Sequence, residues 1–248
     1  MVVYAAMWVA FIAMIVVNYL SNSLPINGQT AAEISDRVDV LFKPAGYVFS
    51  IWTLIYGLLA IWLILQYRKV KNGQFNYKVG ILFIVSCMLN IAWLLCWHYE
   101  LFALSVVVMF LLLITLIMIY LQYRPEQSSL SERLPFSFYL AWITVATIAN
   151  VSYVLKYFEV DLGISEVSGS LILVAIAVII GYIAVDYSKD LYFALVIVWA
   201  LIGIAVKTTD ETMEHGTILL TALLVIVALI RFVLNKRSRT KQKGNAFS

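Results

Sequence analysis

The sequence predicts an all-α integral membrane protein whose chain crosses the bilayer about eight times. The 248 residues are 63% hydrophobic and only 12% charged, with a mean hydropathy of +0.95. Soluble domains are about half apolar and about a quarter charged. Because so few charges cannot cover a water-exposed surface, lipid is the natural solvent for most of this chain. No ten-residue segments of alternating polarity indicate a β-barrel.

Eight segments are long and apolar enough to form spanning helices, which need roughly 20 residues. The first has no basic region before it and is long for a signal peptide, so we interpret it as a retained helix. The seventh is the shortest. The predicted spans are 3–20, 47–67, 79–97, 102–123, 135–157, 168–187, 191–206 and 217–234.

The Lys and Arg residues are concentrated in alternate loops, and this bias sets the orientation of a membrane protein. The remaining loops are acidic or mixed. The pattern predicts a multi-pass cell-membrane protein with both termini in the cytoplasm, which agrees with an even number of spans. The basic positions are Arg68, Lys69, Lys71, Lys78, Arg124, Arg133, Lys236, Arg237, Arg239, Lys241 and Lys243.

Two segments are neither spans nor short turns. The first outer loop, 21–46, is long, and its stretch 30–42 places apolar residues among acidic ones. That stretch could form a short amphipathic helix over the mouth of the bundle, and a solvated connector is the alternative. The tail 236–248 is basic, which favours orientation and attraction to anionic lipid.

Ionisable residues are almost absent from the predicted spans. No Lys lies at mid-span as a Schiff-base residue would, and no acidic relay crosses the bilayer, which argues against a retinal protein and ordinary proton-coupled transport. The sequence has no CxxC or HExxH motif, so we expect no metal site. Away from the span ends, and apart from further tyrosines, Tyr56, Cys87 and Cys96 are nearly the only titratable groups, which argues against acid–base catalysis and predicts no catalytic residues.

Large rings and amides recur at helical spacing in three spans, so each set lies on one helix face. If the three faces converge, they form an aromatic-walled cavity that suits a flat, mostly apolar ligand. The alternatives are core packing, an interfacial belt and, for the amides, interhelical hydrogen bonds. The positions are Phe49, Trp52 and Tyr56 in the second span, Asn90, Trp93 and Trp97 in the third, and Trp142, Ala146 and Asn150 in the fifth.

Three motifs in these same spans resemble the TspO family, also called the translocator protein or tryptophan-rich sensory protein family. Residues 43–56 read KPAGYVFSIWTLIY and resemble the start of the second helix in that family. Residues 89–93, LNIAW, look like its third helix, and residues 139–150, YLAWITVATIAN, look like its fifth. The motifs occur in the family's order.

The resemblance implies a five-helix bundle with a ligand cavity that opens under the first loop. Family members bind tetrapyrroles such as protoporphyrin IX and haem, and some bind sterols or benzodiazepine-type ligands. Carried over by motif, the residues that would line the pocket are Trp52, Asn90, Trp93, Trp142, Ala146 and Asn150.

The resemblance covers roughly residues 1–157. The sequence departs from the family's pattern at Pro44-Ala45, where the family has two prolines, and at Tyr47, where the family usually has Trp. We therefore expect three regions. Residues 1–157 form the five-helix bundle, 158–235 add about three spanning helices, and 236–248 form a basic cytoplasmic tail. The added helices could couple ligand occupancy to a partner or supply an oligomer interface.

These observations predict a membrane receptor, sensor or carrier for a flat hydrophobic ligand, which the resemblance identifies as a tetrapyrrole. No cofactor is required, although porphyrin or haem could be bound. The expected partners are the lipid bilayer and a tetrapyrrole-like or other hydrophobic small molecule, with no nucleic acid, and the chain could form a homo-oligomer. The alternative is an intramembrane enzyme or facilitator that acts on a lipid, an isoprenoid or a bound porphyrin.

Overall fold

The computed structural model describes residues 1–123 and 128–245, with side chains described up to residue 234. Every regular element in these residues is helical. Two short 3-10 turns, Ile26–Gly28 and Gly46–Ser50, accompany the α-helices. The α-helices are α1 Val2–Ser23, α2 Ala31–Asp36, α3 Ile51–Lys71, α4 Tyr77–His98, α5 Phe102–Tyr120, α6 Leu130–Tyr157, α7 Glu166–Asp186, α8 Leu191–Lys207 and α9 Glu211–Asn245.

The predicted all-α membrane architecture is confirmed. Within the described residues, seven helices are long and apolar enough to cross a bilayer. The eighth apolar helix, Leu191–Lys207, has 17 residues and corresponds to the shortest predicted span. That length is at the lower limit of roughly 17 to 25 residues for a spanning helix. Each predicted span thus corresponds to one long helix, and α2 is an additional short one.

Polar side chains fix where several of these helices begin. The Asn76 side chain accepts a hydrogen bond from the backbone N–H of Val79 at the start of α4. Ser165 and Asp190 accept from the first-turn amides of α7 and α8 in the same way. These contacts satisfy N–H groups that have no partner inside the helix, which is why each apolar run becomes helical from that residue onward.

Helix α6 begins earlier than the sequence predicts. The predicted span starts at Pro135, whereas the helix starts at Leu130 and contains Pro135. A capping box between Ser129 and Glu132 sets the observed start, because each side chain accepts a hydrogen bond from the other residue's backbone N–H. Pro135 is the sixth residue of α6 and lies inside the helix, where it removes one intrahelical hydrogen bond, so in this span proline does not mark the first helical residue.

The two segments outside the predicted spans also differ in detail from the predictions. Of the stretch 30–42, only Ala31–Asp36 forms the short helix α2. Of the basic tail, residues 236–245 continue α9, and residues 246–248 lie outside the described residues. Arg124, one of the basic loop positions, also lies outside them.

The chain forms two compact units. The first unit consists of Met1–Val40 and Phe49–Gly163 and contains α1 to α6. The second unit consists of Leu41–Val48 together with the chain from Ile164 onward, and it contains α7 to α9. The short Leu41–Val48 segment therefore belongs to the second unit, although the residues on both sides of it belong to the first.

The five long helices of the first unit close into a ring. Helix α1 packs between α3 and α4, α4 packs on α5, α5 packs on α6, and α6 packs on α3. Helix α6 is the most buried of them. The ring places the inner faces of α3, α4 and α6 around a common interior, where the predicted site residues are expected. This is the five-helix bundle that the sequence resemblance implies.

In the second unit, helices α7, α8 and α9 pack against one another. Gly181 on α7 lies against Leu224 on α9, since a Cβ atom at this glycine would come within 3.0 Å of a Leu224 methyl carbon. Arg231 and Asp186 form an ion pair at 2.8 Å between the same two helices. Asp186 ends α7, and Arg231 lies near the end of the apolar stretch Glu211–Leu234 of α9, where long charged side chains can reach the membrane surface.

Candidate ligand site in the five-helix unit

A group of five rings lies where α3 faces α6. This aromatic cluster consists of Phe49, Trp52, Tyr56, Tyr139 and Trp142. Trp52 stacks on Tyr56 with ring centroids 5.3 Å apart, and it meets Tyr139 and Trp142 edge-on at 5.8 and 6.4 Å. Phe49 meets Trp142 edge-on at 5.4 Å. These are the offset and edge-to-face arrangements that aromatic rings prefer.

Helical spacing brings the cluster together. Phe49 lies in the 3-10 turn that leads into α3, and Trp52 and Tyr56 follow on the first turns of that helix. Tyr139 and Trp142 are three residues apart on α6, so both project from the same face. Because α3 and α6 are neighbours in the ring, the two faces meet. Tyr139 is fully buried and Trp142 nearly so, whereas Phe49 is 45% exposed.

One polar atom in this cluster has no partner. The Tyr56 hydroxyl oxygen is buried and forms no hydrogen bond with any described residue. The Cys87 thiol of α4 and the Tyr139 hydroxyl lie close enough to interact with it electrostatically. Leaving such a hydroxyl unsatisfied costs roughly 1 to 3 kcal/mol, so an orphan group of this kind requires an explanation.

Asn90 joins two other helices. Its side-chain oxygen accepts a hydrogen bond from the Asn18 amide of α1 at 2.7 Å. The same Asn18 amide also donates to the Met14 carbonyl at 2.9 Å. Asn90 interacts in addition with the hydroxyl of Tyr139. Asn90 thus ties α1, α4 and α6 together directly behind the aromatic cluster.

Asn150 and Trp93 belong to a second polar network. The Asn150 oxygen accepts a hydrogen bond from the Trp93 indole N–H at 3.3 Å, and the Asn150 amide donates to the Ser105 hydroxyl at 3.1 Å. Ser105 in turn donates to the Phe102 carbonyl at 2.7 Å. This series of hydrogen bonds links α4, α5 and α6, and it gives both the oxygen and the amide of Asn150 partners inside the bundle.

Helix α2 covers one end of the first unit. Its Ile34 side chain is buried in a group that we call the lid core, which also contains Val40, Trp97, Phe102 and Tyr153. The Trp97 indole donates a hydrogen bond to the Ala31 carbonyl at 3.3 Å, and the Tyr153 hydroxyl donates to the Ile34 carbonyl at 2.9 Å. The predicted amphipathic helix is therefore present and docked, with its backbone held by two aromatic side chains.

The structure brings together some of the eight predicted site residues and separates others. Phe49, Trp52, Tyr56 and Trp142 meet in the aromatic cluster. The remaining four lie elsewhere in the bundle: Asn90 on Asn18, Trp93 and Asn150 in the second network, and Ala146, half-buried, one turn beyond Trp142. Their roles in ligand binding stay predictions.

Sequence reasoning missed Tyr139, Asn18 and Ser105. Tyr139 lies one helical turn before Trp142, so its spacing could have placed it on the same face. Asn18 was visible as an amide in an apolar span, but no pattern in the sequence indicates which helix it bonds. Ser105 gives no signal, because a single serine in a spanning helix usually bonds its own backbone.

The cluster combines flat apolar rings with hydrogen-bonding groups. Trp52 and Trp142 each carry an indole N–H, and Tyr56 adds its orphan hydroxyl. Such a set suits a flat ligand with acceptor atoms at its edge. In residues 1–123 and 128–234, whose side chains are described, no group of three or more His, Cys, Asp or Glu side chains could hold a metal ion.

The comparisons with known proteins give one match. The chain is similar over residues 4–234 to a family model described as TSPO-like protein. The matched region includes the last three long helices, whereas the motifs that carried the sequence resemblance end before residue 157. Neither the comparison with curated proteins nor the comparison with solved structures finds a significant match.

Proposed function

Because the chain belongs to the TSPO-like protein family, we propose that it is a membrane receptor, sensor or carrier for a flat hydrophobic ligand. The leading candidate is a tetrapyrrole such as protoporphyrin IX or haem. The family membership and the spanning helices show a membrane protein of the TspO kind. The ligand class, the site and the biological use are parts of the proposal.

The Tyr56 hydroxyl is the observation that carries the proposal. It is buried among aromatic rings and has no hydrogen-bond partner in the described part of the chain. If the cluster were packing alone, a phenylalanine at this position would avoid the desolvation cost of the hydroxyl. A ligand with an acceptor or donor at its edge would satisfy the group and account for its presence.

A tetrapyrrole has the matching chemistry. Its macrocycle is flat and apolar, so it can stack on Trp52 or Trp142, and its propionate groups are strong hydrogen-bond acceptors. In the structure the rings contact one another directly, so a bound macrocycle would require at least one ring to turn. Phe49 is the candidate for that movement because it is 45% exposed and lies at the edge of the cluster.

The testing experiment is a titration of the detergent-solubilised protein with protoporphyrin IX in the dark. Tryptophan quenching and the porphyrin Soret band would both be followed. We expect saturable binding, and we expect Tyr56→Phe to weaken it about three- to tenfold, which corresponds to the loss of one hydrogen bond. Trp142→Phe should weaken binding as well, because it reduces the stacking surface.

Matched substitutions away from the cluster provide the controls. Tyr182→Phe on α7 and Trp8→Phe on α1 make the same chemical changes at residues that are not part of the aromatic cluster. Both should bind like the wild type. Equal affinity in Tyr56→Phe and Tyr182→Phe would refute the site assignment. No saturable binding by a folded wild-type protein would refute the tetrapyrrole proposal.

The charge pattern leads us to propose a cell-membrane location with both termini in the cytoplasm. Lys and Arg are concentrated in the loops at 68–78 and 124–134 and in the tail from 236, whereas the short loop at 188–190 holds one Lys and one Asp. The bias of Lys and Arg toward the cytoplasmic side supports this orientation. The lid helix α2 would then lie at the outer end of the first unit, and the ligand would reach the aromatic cluster from that end or from the bilayer.

A further inference from the structure

The Leu41–Val48 segment precedes the aromatic cluster in sequence but packs within the second unit. Phe42, Pro44 and Val48 are buried, which is unusual for a connection between two spanning helices. The segment is therefore a structured part of the molecule, with α8 as its main partner.

Two hydrogen bonds attach the segment to α8. The Ala45 backbone N–H donates to the Gly203 carbonyl at 3.0 Å. The Trp199 indole N–H donates to the Val48 carbonyl at 3.1 Å. A third bond, from the Val48 N–H to the Ala45 carbonyl at 3.0 Å, closes the segment on itself between these two attachment points. Both ends of this local turn are thus fixed to the same helix.

Side-chain packing makes the attachment close. A Cβ atom at Gly203 would lie 2.2 Å from a methyl carbon of Val48 and 3.4 Å from Cβ of Pro44. Only glycine permits this approach, since any side chain would push the segment away from α8. Tyr47 adds an edge-on contact with the Trp199 ring at 5.5 Å.

The residues on either side of the attached segment belong to the lid core and to the aromatic cluster. Val40, immediately before the segment, is part of the lid core. Phe49, immediately after it, contacts Trp142 in the aromatic cluster. The peptide bond between Val48 and Phe49 therefore joins an anchored carbonyl directly to a ring of the proposed site, and a displacement of Val48 must be transmitted to Phe49 within one residue.

We propose that Gly203 and Trp199 are positioning residues for the ligand site: α8 holds the Leu41–Val48 segment and thereby sets where Phe49 lies. Neither residue belongs to the aromatic cluster. The consequence for affinity rests on the proposed function, whereas the consequence for Phe49 and Trp142 does not. In this role α8 acts on Phe49 through the chain itself, because Phe49 directly follows the anchored Val48.

Two substitutions on α8 test the proposal. Gly203→Ala forces the segment outward by its added methyl group, and Trp199→Phe removes only the indole N–H while keeping a ring beside Tyr47. Gly169→Ala is the matched glycine control, because its Cβ atom would meet only ordinary contacts at 3.5 Å. Trp8→Phe is the matched tryptophan control on α1.

The first readout is hydrogen–deuterium exchange of the full-length protein in detergent. We expect exchange of the peptide that contains Ala45 and Val48 to accelerate about fivefold in Trp199→Phe, the effect of losing one hydrogen bond, and more in Gly203→Ala. Neither control should change it. Unaltered exchange in both α8 variants would show that the segment is not held by α8 and would overturn the proposal.

The second readout is the ¹⁹F spectrum of protein labelled with 5-fluorotryptophan, with the Trp142 signal assigned by its loss in Trp142→Phe. We expect the Trp142 signal to shift in Gly203→Ala and Trp199→Phe while the Trp8 signal stays in place. A constant Trp142 signal despite accelerated exchange would overturn the positioning role. If Gly203→Ala does not fold, Trp199→Phe decides both readouts.

The third readout is protoporphyrin IX affinity. We expect about three- to tenfold weaker binding in the α8 variants than in their controls, since Phe49 would no longer be held in place. Unchanged affinity with a shifted Trp142 signal would overturn the link between positioning and binding. Failure of the wild type to bind would refute the proposed ligand, and exchange and ¹⁹F spectra would still decide whether α8 positions Phe49.

Discussion

The amides inside the spanning helices mark contacts between helices. Asn90 bonds Asn18 across α4 and α1, and Asn150 bonds Trp93 and Ser105 across α6, α4 and α5. In lipid no water is available to bond an amide, so a partner on another helix stabilises it. The buried Gln66 amide nitrogen on α3 is an exception, because it has no hydrogen-bond partner among the described residues. The bonded asparagine amides fix which faces of the helices point inward, and the aromatic cluster depends on that rotation.

Replacing Asn150 should therefore destabilise the protein. In Asn150→Ala the Trp93 indole N–H and the Ser105 hydroxyl both lose a partner, and we expect a loss of about 1 to 2 kcal/mol. Thermal unfolding in detergent, followed by circular dichroism, would measure it. Asn22→Ala, at an exposed amide near the end of α1, is the control and should change little. Equal melting temperatures for the two variants would contradict the structural role of Asn150.

For individual residues, the sequence predicts which face of a helix a side chain lies on but not which other helix it contacts. The spacing of Trp52, Tyr56 and Trp142 placed them on two faces that do meet. The spacing of Asn90 and Trp93 was equally regular, yet these two residues bond to different helices. Helical periodicity specifies which side of its own helix a residue lies on. Which other helix that side contacts depends on how all five helices are arranged, and the sequence of one span does not contain this information.

The lid helix α2 shows how a very short helix is stabilised. Six residues are too few for an isolated helix to form in water. A capping box between Thr30 and Glu33 satisfies its first amides, and Ile34 anchors it in the lid core. The cap is specified locally, while the docking depends on Trp97 and Tyr153 far along the chain.

Removing this cap should loosen α2 without disturbing the spans. Thr30→Ala deletes the hydroxyl that accepts from the Glu33 N–H, and a lost cap of this kind costs about 1 kcal/mol. We expect faster hydrogen–deuterium exchange over residues 31–36, with no change in α4. Thr53→Ala, at an exposed position on α3, is the matched control. Exchange that matches the wild type would mean that Trp97 and Tyr153 alone hold the helix.

The same cap should respond to acid. Hydrogen bonds from the Thr30 backbone N–H and hydroxyl lower the pKa of the Glu33 carboxyl below its ordinary value of 4.5. A group with a depressed pKa stabilises the fold above its ordinary value, and this contribution disappears as the pH falls through the depressed pKa. The protection of residues 31–36, measured as their exchange rate relative to the intrinsic rate at the same pH, should therefore fall below pH 4.5 in the wild type, and less so in Glu33→Gln.

The spans were predictable as elements, and their starting residues were less so. Hydropathy over about 20 residues finds each helix, because lipid imposes one length and one composition on all of them. The start of α6 at Leu130 depends on the Ser129–Glu132 capping box, which lies outside the apolar run. The short helix α2 was predicted from its amphipathic pattern but over too long a range.

At the scale of the whole molecule, the orientation can be tested directly. Val160→Cys adds a thiol in the loop between α6 and α7, and Ser188→Cys adds one between α7 and α8. We expect a membrane-impermeant maleimide to label the first variant in intact cells and the second only after permeabilisation. Native Cys87 and Cys96 are buried and give the background level. The reverse labelling pattern would place both termini outside.

The division of the chain into two units could not be read completely from the sequence. The motifs end near residue 157, and the first unit ends at Gly163. The assignment of Leu41–Val48 to the second unit could not be predicted. Its attachment depends on Gly203 and Trp199, and neither a lone glycine nor a lone tryptophan in an apolar helix indicates a distant backbone partner.

This attachment also imposes an order on biosynthesis. Val48 and Trp199 are 151 residues apart, so the ribosome has completed α1 to α7 and about half of α8 before the segment has its partner. The five long helices of the first unit must enter the membrane while Leu41–Val48 still has no partner. The segment can take its final place only late in synthesis, after α8 has been made, and a nascent chain stalled before residue 199 would present it to chaperones and proteases.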